Sequence, residues 1–83
     1  MTQQEINDYF IASPDYLEID ENTFVDQTGP FTFVTETEQL SMSYPGPPEE
    51  YGAVIRNSFL ADAAALSSWI TAVEQDALNP PGI

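Results

Sequence analysis

Phe31-Thr32-Phe33-Val34-Thr35 and Leu40-Ser41-Met42-Ser43-Tyr44, joined by Glu36-Thr37-Glu38-Gln39, decide the fold of this chain. Apolar residues alternate with Thr, Ser or Val in both segments, and side chains on a strand point to opposite faces with period two. The spacing predicts an antiparallel hairpin of 31–35 with 40–44, with one apolar face and one wet face. Upstream, Leu17 and Ile19 alternate with Tyr16, Glu18 and Asp20, which predicts another strand with an apolar face and an acidic face. Thr28-Gly29-Pro30 is a turn signal between these segments, and Pro45-Gly46-Pro47-Pro48 closes a β region spanning 16–45. The proline segment is stiff and extended, so residues 45–48 read as a connector or an arm lying on another surface.

Helical signals flank this region. Thr2 and Glu5 have the spacing of a capping box, Met1 and Ile6 that of a hydrophobic staple, and Ile6 with Phe10 forms an i,i+4 pair. A short helix within 1–13 is expected to stop before Pro14. Toward the other end, Phe59, Ala63, Leu66, Ile70, Val73 and Ala77 recur at steps of four and three, one apolar stripe along a helix over 58–78. Ser58 serves as its expected cap, and Asn79-Pro80-Pro81-Gly82 stops it, leaving 79–83 as a tail. Between sheet and helix, Pro48-Glu49-Glu50 resembles a first helical turn whereas Val54-Ile55 suits a strand; the balance favours a short helix over 49–57. The sum is one α+β domain over 1–83. It has a small antiparallel sheet or hairpin, a short N-terminal helix, and a long amphipathic C-terminal helix packed on the sheet.

Composition narrows the chemistry. The chain has fourteen carboxylates, one arginine (Arg56) and no lysine, histidine or cysteine, for a net charge of −13. A serine nucleophile would lack its ordinary base, and no glycine-rich phosphate loop is present, so no catalytic residue or cofactor site is expected and the protein reads as a non-enzyme. Asp15, Glu18, Asp20, Glu21 and Asp26 are hard-cation ligand types, but they lack the glycine and spacing of an EF-hand loop, so no metal site is assigned. One arginine cannot release counterions from phosphates, and the same field repels anionic lipid, which excludes direct nucleic-acid and membrane partners. This field attracts basic protein surface or cations, or else serves only solubility and colloidal repulsion; the expected partner is protein, within a larger or homo-oligomeric assembly. Met1-Thr2-Gln3-Gln4-Glu5 lacks the basic start of a secretory signal, and no stretch approaches the roughly 18 apolar residues of a membrane span. A soluble protein without an export signal is expected.

Residues two apart on a strand share a face about 6.6 Å apart. Glu18 with Asp20, and Glu36 with Glu38, are therefore expected as paired anionic rows at a spacing comparable to phosphates. In charge balance the chain is similar to inhibitors that imitate DNA, including some anti-CRISPR proteins and the phage inhibitor of uracil-DNA glycosylase. That likeness implies occupation of a basic nucleic-acid-binding cleft. An acidic adaptor for a host enzyme would look the same. Trp69, at the edge of the helical stripe, reads as a cap on the core or an interface anchor. Arg56 reads as neutralising a nearby carboxylate, capping a helix end, or gripping a partner carboxylate. Pro47, Pro48, Pro80 and Pro81 are the contact points of the two extended arms. Lysine-poor composition, Thr/Ser-rich strands and such arms resemble small accessory virion proteins of tailed bacteriophages, such as capsid cement or tail and baseplate connectors. The resemblance implies a non-catalytic assembly role, in a virion or the host cytoplasm.

Overall fold

The computed structural model describes residues 1–46 and 50–79. It is α+β: two helices and a five-stranded antiparallel sheet. The order is α1 (Gln3–Ala12), β1 (Tyr16–Asp20), β2 (Thr23–Asp26), β3 (Thr32–Thr35), β4 (Gln39–Tyr44), β5 (Tyr51–Arg56), a 3₁₀ turn over Asn57–Phe59, and α2 (Ala63–Leu78). Each strand pairs with the one before it, a simple meander. The β3–β4 hairpin has the expected register, with Phe33 opposite Met42 and Thr35 opposite Leu40. No helix among the described residues is long and apolar enough to cross a membrane.

α1 starts with the expected capping box. The Thr2 hydroxyl accepts from the Glu5 N–H at 3.2 Å and the Glu5 carboxylate accepts from the Thr2 N–H at 2.9 Å, satisfying two of the donors that a helix start leaves free. Hydrogen bonding to the Thr2 N–H, and secondarily to the Thr2 hydroxyl, holds the exposed Glu5 carboxyl below its ordinary pKa. The buried face of α1, Ile6 and Phe10, is the centre of the core. The Phe10 ring stacks on Phe24 with centroids 5.0 Å apart, lies 5.3 Å from Phe33, and meets Tyr16 edge-on at 4.8 Å. Leu66, Ile70, Val73 and Ala77 of α2 belong to the same buried cluster as Ile6, Phe10, Phe24, Phe33, Leu40 and Met42. Residues of both helices therefore belong to one buried cluster with the inward residues of the sheet.

Four expectations are corrected. Residues 51–56 form β5, not a helix: Tyr51-Gly52-Ala53-Val54-Ile55-Arg56 pairs with Gln39–Tyr44 over six residues without a register shift. The pattern of β-branched Val54-Ile55 and the unpaired edge that β4 would otherwise leave outweigh the helix-start signal of Pro48-Glu49-Glu50. α2 begins at Ala63, capped by Asp62, whose carboxylate accepts from the Ala65 N–H at 2.9 Å. Ser58 is thus not the cap, and Phe59 and Ala63 leave the buried stripe; Phe59 is 71% exposed. β1 is turned over relative to the expectation: Leu17 is 55% exposed and Ile19 is 57% exposed, while Tyr16 packs on Phe10 and Phe33. Pairing with β2 sets this, because Tyr16 sits opposite Asp26 and Glu18 opposite the buried Phe24. Finally, a register irregularity between Glu18 and Asp20 puts Asp20 opposite Thr23, next to Phe24 in sequence, so the two acids do not form a row on one face.

Polar residues lock the layers together. Asn57, buried at 4% exposure, donates from Nδ2 to the Glu36 and Thr37 carbonyls at 3.1 and 3.3 Å. Its N–H donates to the Glu38 carbonyl at 2.9 Å, and its own carbonyl accepts from the Leu60 N–H and the Met1 amine. One side chain thus clasps the β3–β4 turn to the start of the 3₁₀ turn. Asn7 of α1 accepts from the Thr35 hydroxyl and donates to Asn22 at 2.9 Å. Asn22, the second residue of the two-residue β1–β2 turn, adopts a left-handed φ of 62°, which Asn tolerates better than most residues.

Candidate functional site

Among the described residues, the face of the sheet opposite Phe24, Phe33, Leu40 and Met42 carries no residue of the buried cluster. Cross-strand partners share a face, so the register defines what this open face presents. One row runs Leu17, Val25, Thr32, Ser43, Gly52; a second runs Asp20, Thr23, Val34, Ser41, Val54. At about 4.8 Å between strands, each row spans roughly 19 Å. Nine of the ten side chains are apolar, hydroxylic or glycine, and Asp20 is the single carboxylate. In a chain with fourteen acids and a net charge of −13, that leaves a flat, nearly uncharged surface. Gln39 and Arg56 pair beyond the second row and complete it.

The acids lie around this surface. A meander sends alternate turns to the same end of the sheet, so Asp20 and Glu21 at the β1–β2 turn and Glu36 and Glu38 at the β3–β4 turn gather at one end. Asp20, Glu36 and Glu38 are thereby brought near one another as a rim, with Glu36 and Glu38 in a turn and not on a strand. Glu18 stands apart, on the helix side of edge strand β1. Arg56 is exposed at the end of β5, makes no capping hydrogen bond with the 3₁₀ turn, and shares a shallow cleft with Met1, Thr2, Glu38 and Gln39. Trp69 is half-buried against the core cluster, which supports its reading as a cap. Pro47, Pro48, Pro80 and Pro81 lie outside the described residues.

The other end of the sheet holds a pair of carboxyls that sequence reasoning missed. Asp26 of β2 is 7% exposed and accepts at Oδ1 from the Thr28 N–H (2.8 Å) and hydroxyl (2.6 Å). Glu74 of α2 lies against Asp26, and its Oε2 is buried without a hydrogen-bond partner. Two ionised carboxylates cannot pair, whereas a protonated Glu74 carboxyl can donate to Asp26. Burial, the hydrogen bond and the Asp26 charge together raise the Glu74 pKa to about 7. Burial, then Glu74, also pushes the neighbouring Tyr16 hydroxyl well above its ordinary value. No local pattern links positions 26 and 74, so no sequence signal announces this pair. Among the described residues no third acid joins them in an arrangement suited to a cation.

The geometry offers surfaces for contact: an open sheet face with an acidic rim, and two sheet edges at β1 and β5. No protein-family model, curated protein or solved structure matches this chain.

Proposed function

We propose that this protein is a non-catalytic acidic binding protein that docks the open face of its sheet onto a basic protein partner, as an accessory component of a larger assembly. The observation that carries this reading is the uncovered face from Leu17 across to Val54, kept nearly free of carboxylates while acids crowd the adjacent turns. Natural interfaces combine such a depleted centre with a polar rim. The rim here asks for lysine and arginine on the partner. A tailed-phage particle is the proposed assembly, on the compositional likeness given above. Clustering of Asp20, Glu21, Glu36 and Glu38 at one end favours a second reading, a DNA mimic that fills a basic nucleic-acid-binding cleft.

Affinity purification from native source material, with wild type and a Val34→Glu variant compared side by side, tests the first reading. A basic partner retained by wild type and lost by the folded variant supports it. A stable monomer with no partner at any salt concentration overturns it. The second reading instead expects DNA to compete and affinity to fall steeply with salt. Exchange of Asp20, Glu36 and Glu38 for amides would then abolish binding while Val34→Glu would not.

A further inference from the structure

The two edges of the sheet differ in kind. β1 carries Glu18 and Asp20, is followed by Glu21, and is interrupted by a register irregularity. Acids and bulges are the devices by which proteins discourage pairing at an exposed edge. β5 has neither. Its six residues contain no carboxylate and no proline and run in unbroken register against β4. In so acidic a chain, the absence of carboxylates from this edge is a distinguishing feature.

Backbone phase shows what β5 presents. The Asn57 N–H donates to the Glu38 carbonyl, and the Glu36 N–H to the Gln39 carbonyl, each at 2.9 Å. Ladder bonding alternates along an antiparallel strand, so Tyr51, Ala53 and Ile55 bond to β4. Gly52, Val54 and Arg56 then aim their N–H and C=O groups outward. Among the described residues, no hydrogen bond outside the sheet engages the backbone of Tyr51–Arg56. Three successive outward residues make a row about 13 Å long, the length over which a short strand docks.

We infer that the outer edge of β5 accepts an extended strand from the partner, one flanked by lysine or arginine. The inference deepens the reading of the protein as a binder of basic surface and rests on it. Backbone pairing supplies the contact, and charge selects the occupant. Glu50 precedes the strand, and burial followed by Asp76 of α2, near the Tyr51 hydroxyl, raises the Tyr51 pKa. Glu38 stands by the Asn57 end. A basic flank on the incoming strand meets Glu50 and Asp76 at the Tyr51 end, and Glu38 beside Arg56 at the other. A second copy of this chain would bring thirteen further net negative charges to the same edge.

The probe is a synthetic peptide, Lys-Lys-Val-Thr-Val-Thr-Val-Lys-Lys, titrated into the ¹⁵N-labelled full chain. An analogue N-methylated at alternate residues on the pairing edge serves as control. Expected are amide shifts centred on Gly52, Val54 and Arg56, and loss of binding with the N-methylated analogue. Val54→Pro removes an outward donor while leaving the β4 ladder intact, as edge strands tolerate. It should weaken binding at least ten-fold. Val54→Thr, which keeps the donor, should change it less than three-fold. Equal weakening by Val54→Thr, or shifts confined to Leu17, Val25 and Val34, overturns the edge inference while leaving the face reading standing. No binding by the peptide overturns the edge inference alone, since native purification tests the face reading independently. A β5-centred dimer of the chain in sedimentation, without peptide, overturns it in favour of self-pairing.

Discussion

Replacing Glu74 by glutamine isolates the chemistry that joins α2 to the sheet. In the native chain the Glu74 carboxyl bonds Asp26 only when it holds a proton, and its pKa is raised from 4.5 to about 7. A folded state that binds this proton more tightly than the unfolded state gains stability that is complete below about pH 4.5 and is lost as pH rises through about 7. The full span corresponds to about 3 kcal/mol at 1.36 kcal/mol per unit. Glu74 is only partly buried, so screening by solvent reduces this to about 1–2 kcal/mol. Glutamine has the same shape and donates from its amide at every pH. Tyr16, which feels both carboxyls, is unchanged in the variant. Thermal unfolding of both chains from pH 5 to pH 8 is the assay. Repulsion among the remaining carboxylates is common to both and cancels in the difference. The variant should melt roughly 5–10 °C above wild type at pH 8, at about 4–8 °C per kcal/mol for a domain of this size. The advantage should shrink toward pH 5, with most of the change falling between about pH 4.5 and pH 7. A difference that stays flat with pH, or a ¹³C titration of the Glu74 carboxyl with a midpoint near 4.5, would refute the reasoning.

Three further outcomes follow from the packing. Phe10→Ala empties the ring position that touches Phe24, Phe33 and Tyr16 and should cost about 3–5 kcal/mol in urea unfolding, enough to unfold much of so small a domain. Asn57→Ala should cost about 1–3 kcal/mol, because the Glu36 and Thr37 carbonyls lose their donor. Asn57→Asp should cost more at pH 7, since it sets a buried charge against those carbonyls, and should recover in part at pH 4. Leu17→Glu alters an exposed side chain and should shift stability by less than about 0.5 kcal/mol, yet weaken capture of the partner; retained capture would remove Leu17 from the interface.

Elements whose order is written in nearby residues were legible. The Thr2–Glu5 box marks the start of α1, period-two alternation marks β3 and β4, and the spacing of Leu66, Ile70, Val73 and Ala77 marks the buried side of α2. Features fixed by distant partners were not. Which face of β1 turns inward depends on Tyr16 meeting Phe10 and Phe33, and no alternation within 16–20 reports that. β2, inside the expected β region, is a four-residue strand whose inward residues are Phe24 and Asp26, and an inward Asp disguises its pattern. β5 is defined by its register with β4, against a local helix signal. The candidate surface was legible in its chemistry and not in its place. Asp20, Glu36 and Glu38 do gather, but through the meander's turns, and the uncharged face beside them emerges only once five strands are in register.

The acid pair and the open surfaces belong to one energetic account. At neutral pH the Asp26–Glu74 contact withholds about 1–2 kcal/mol from a fold that, at 83 residues, has a narrow margin. Nothing in the geometry requires an acid at position 74, since glutamine satisfies the same bond. A partner present at ten times its dissociation constant stabilises the folded chain by about 1.4 kcal/mol, which is of the same size. A chain that spends its working life docked can therefore carry such a pair without unfolding. The same chain released at neutral pH has α2 as its weakest attachment. That ordering is itself measurable. In native-state hydrogen exchange at pH 8, the amides of Ile70, Val73 and Ala77 should exchange faster than those of Phe33 and Met42 in the central hairpin. Glu74→Gln should close most of the gap. If α2 and the hairpin exchange together at pH 8 in both chains, the helix is not the weak attachment, and the acid pair has no part in how the free protein opens.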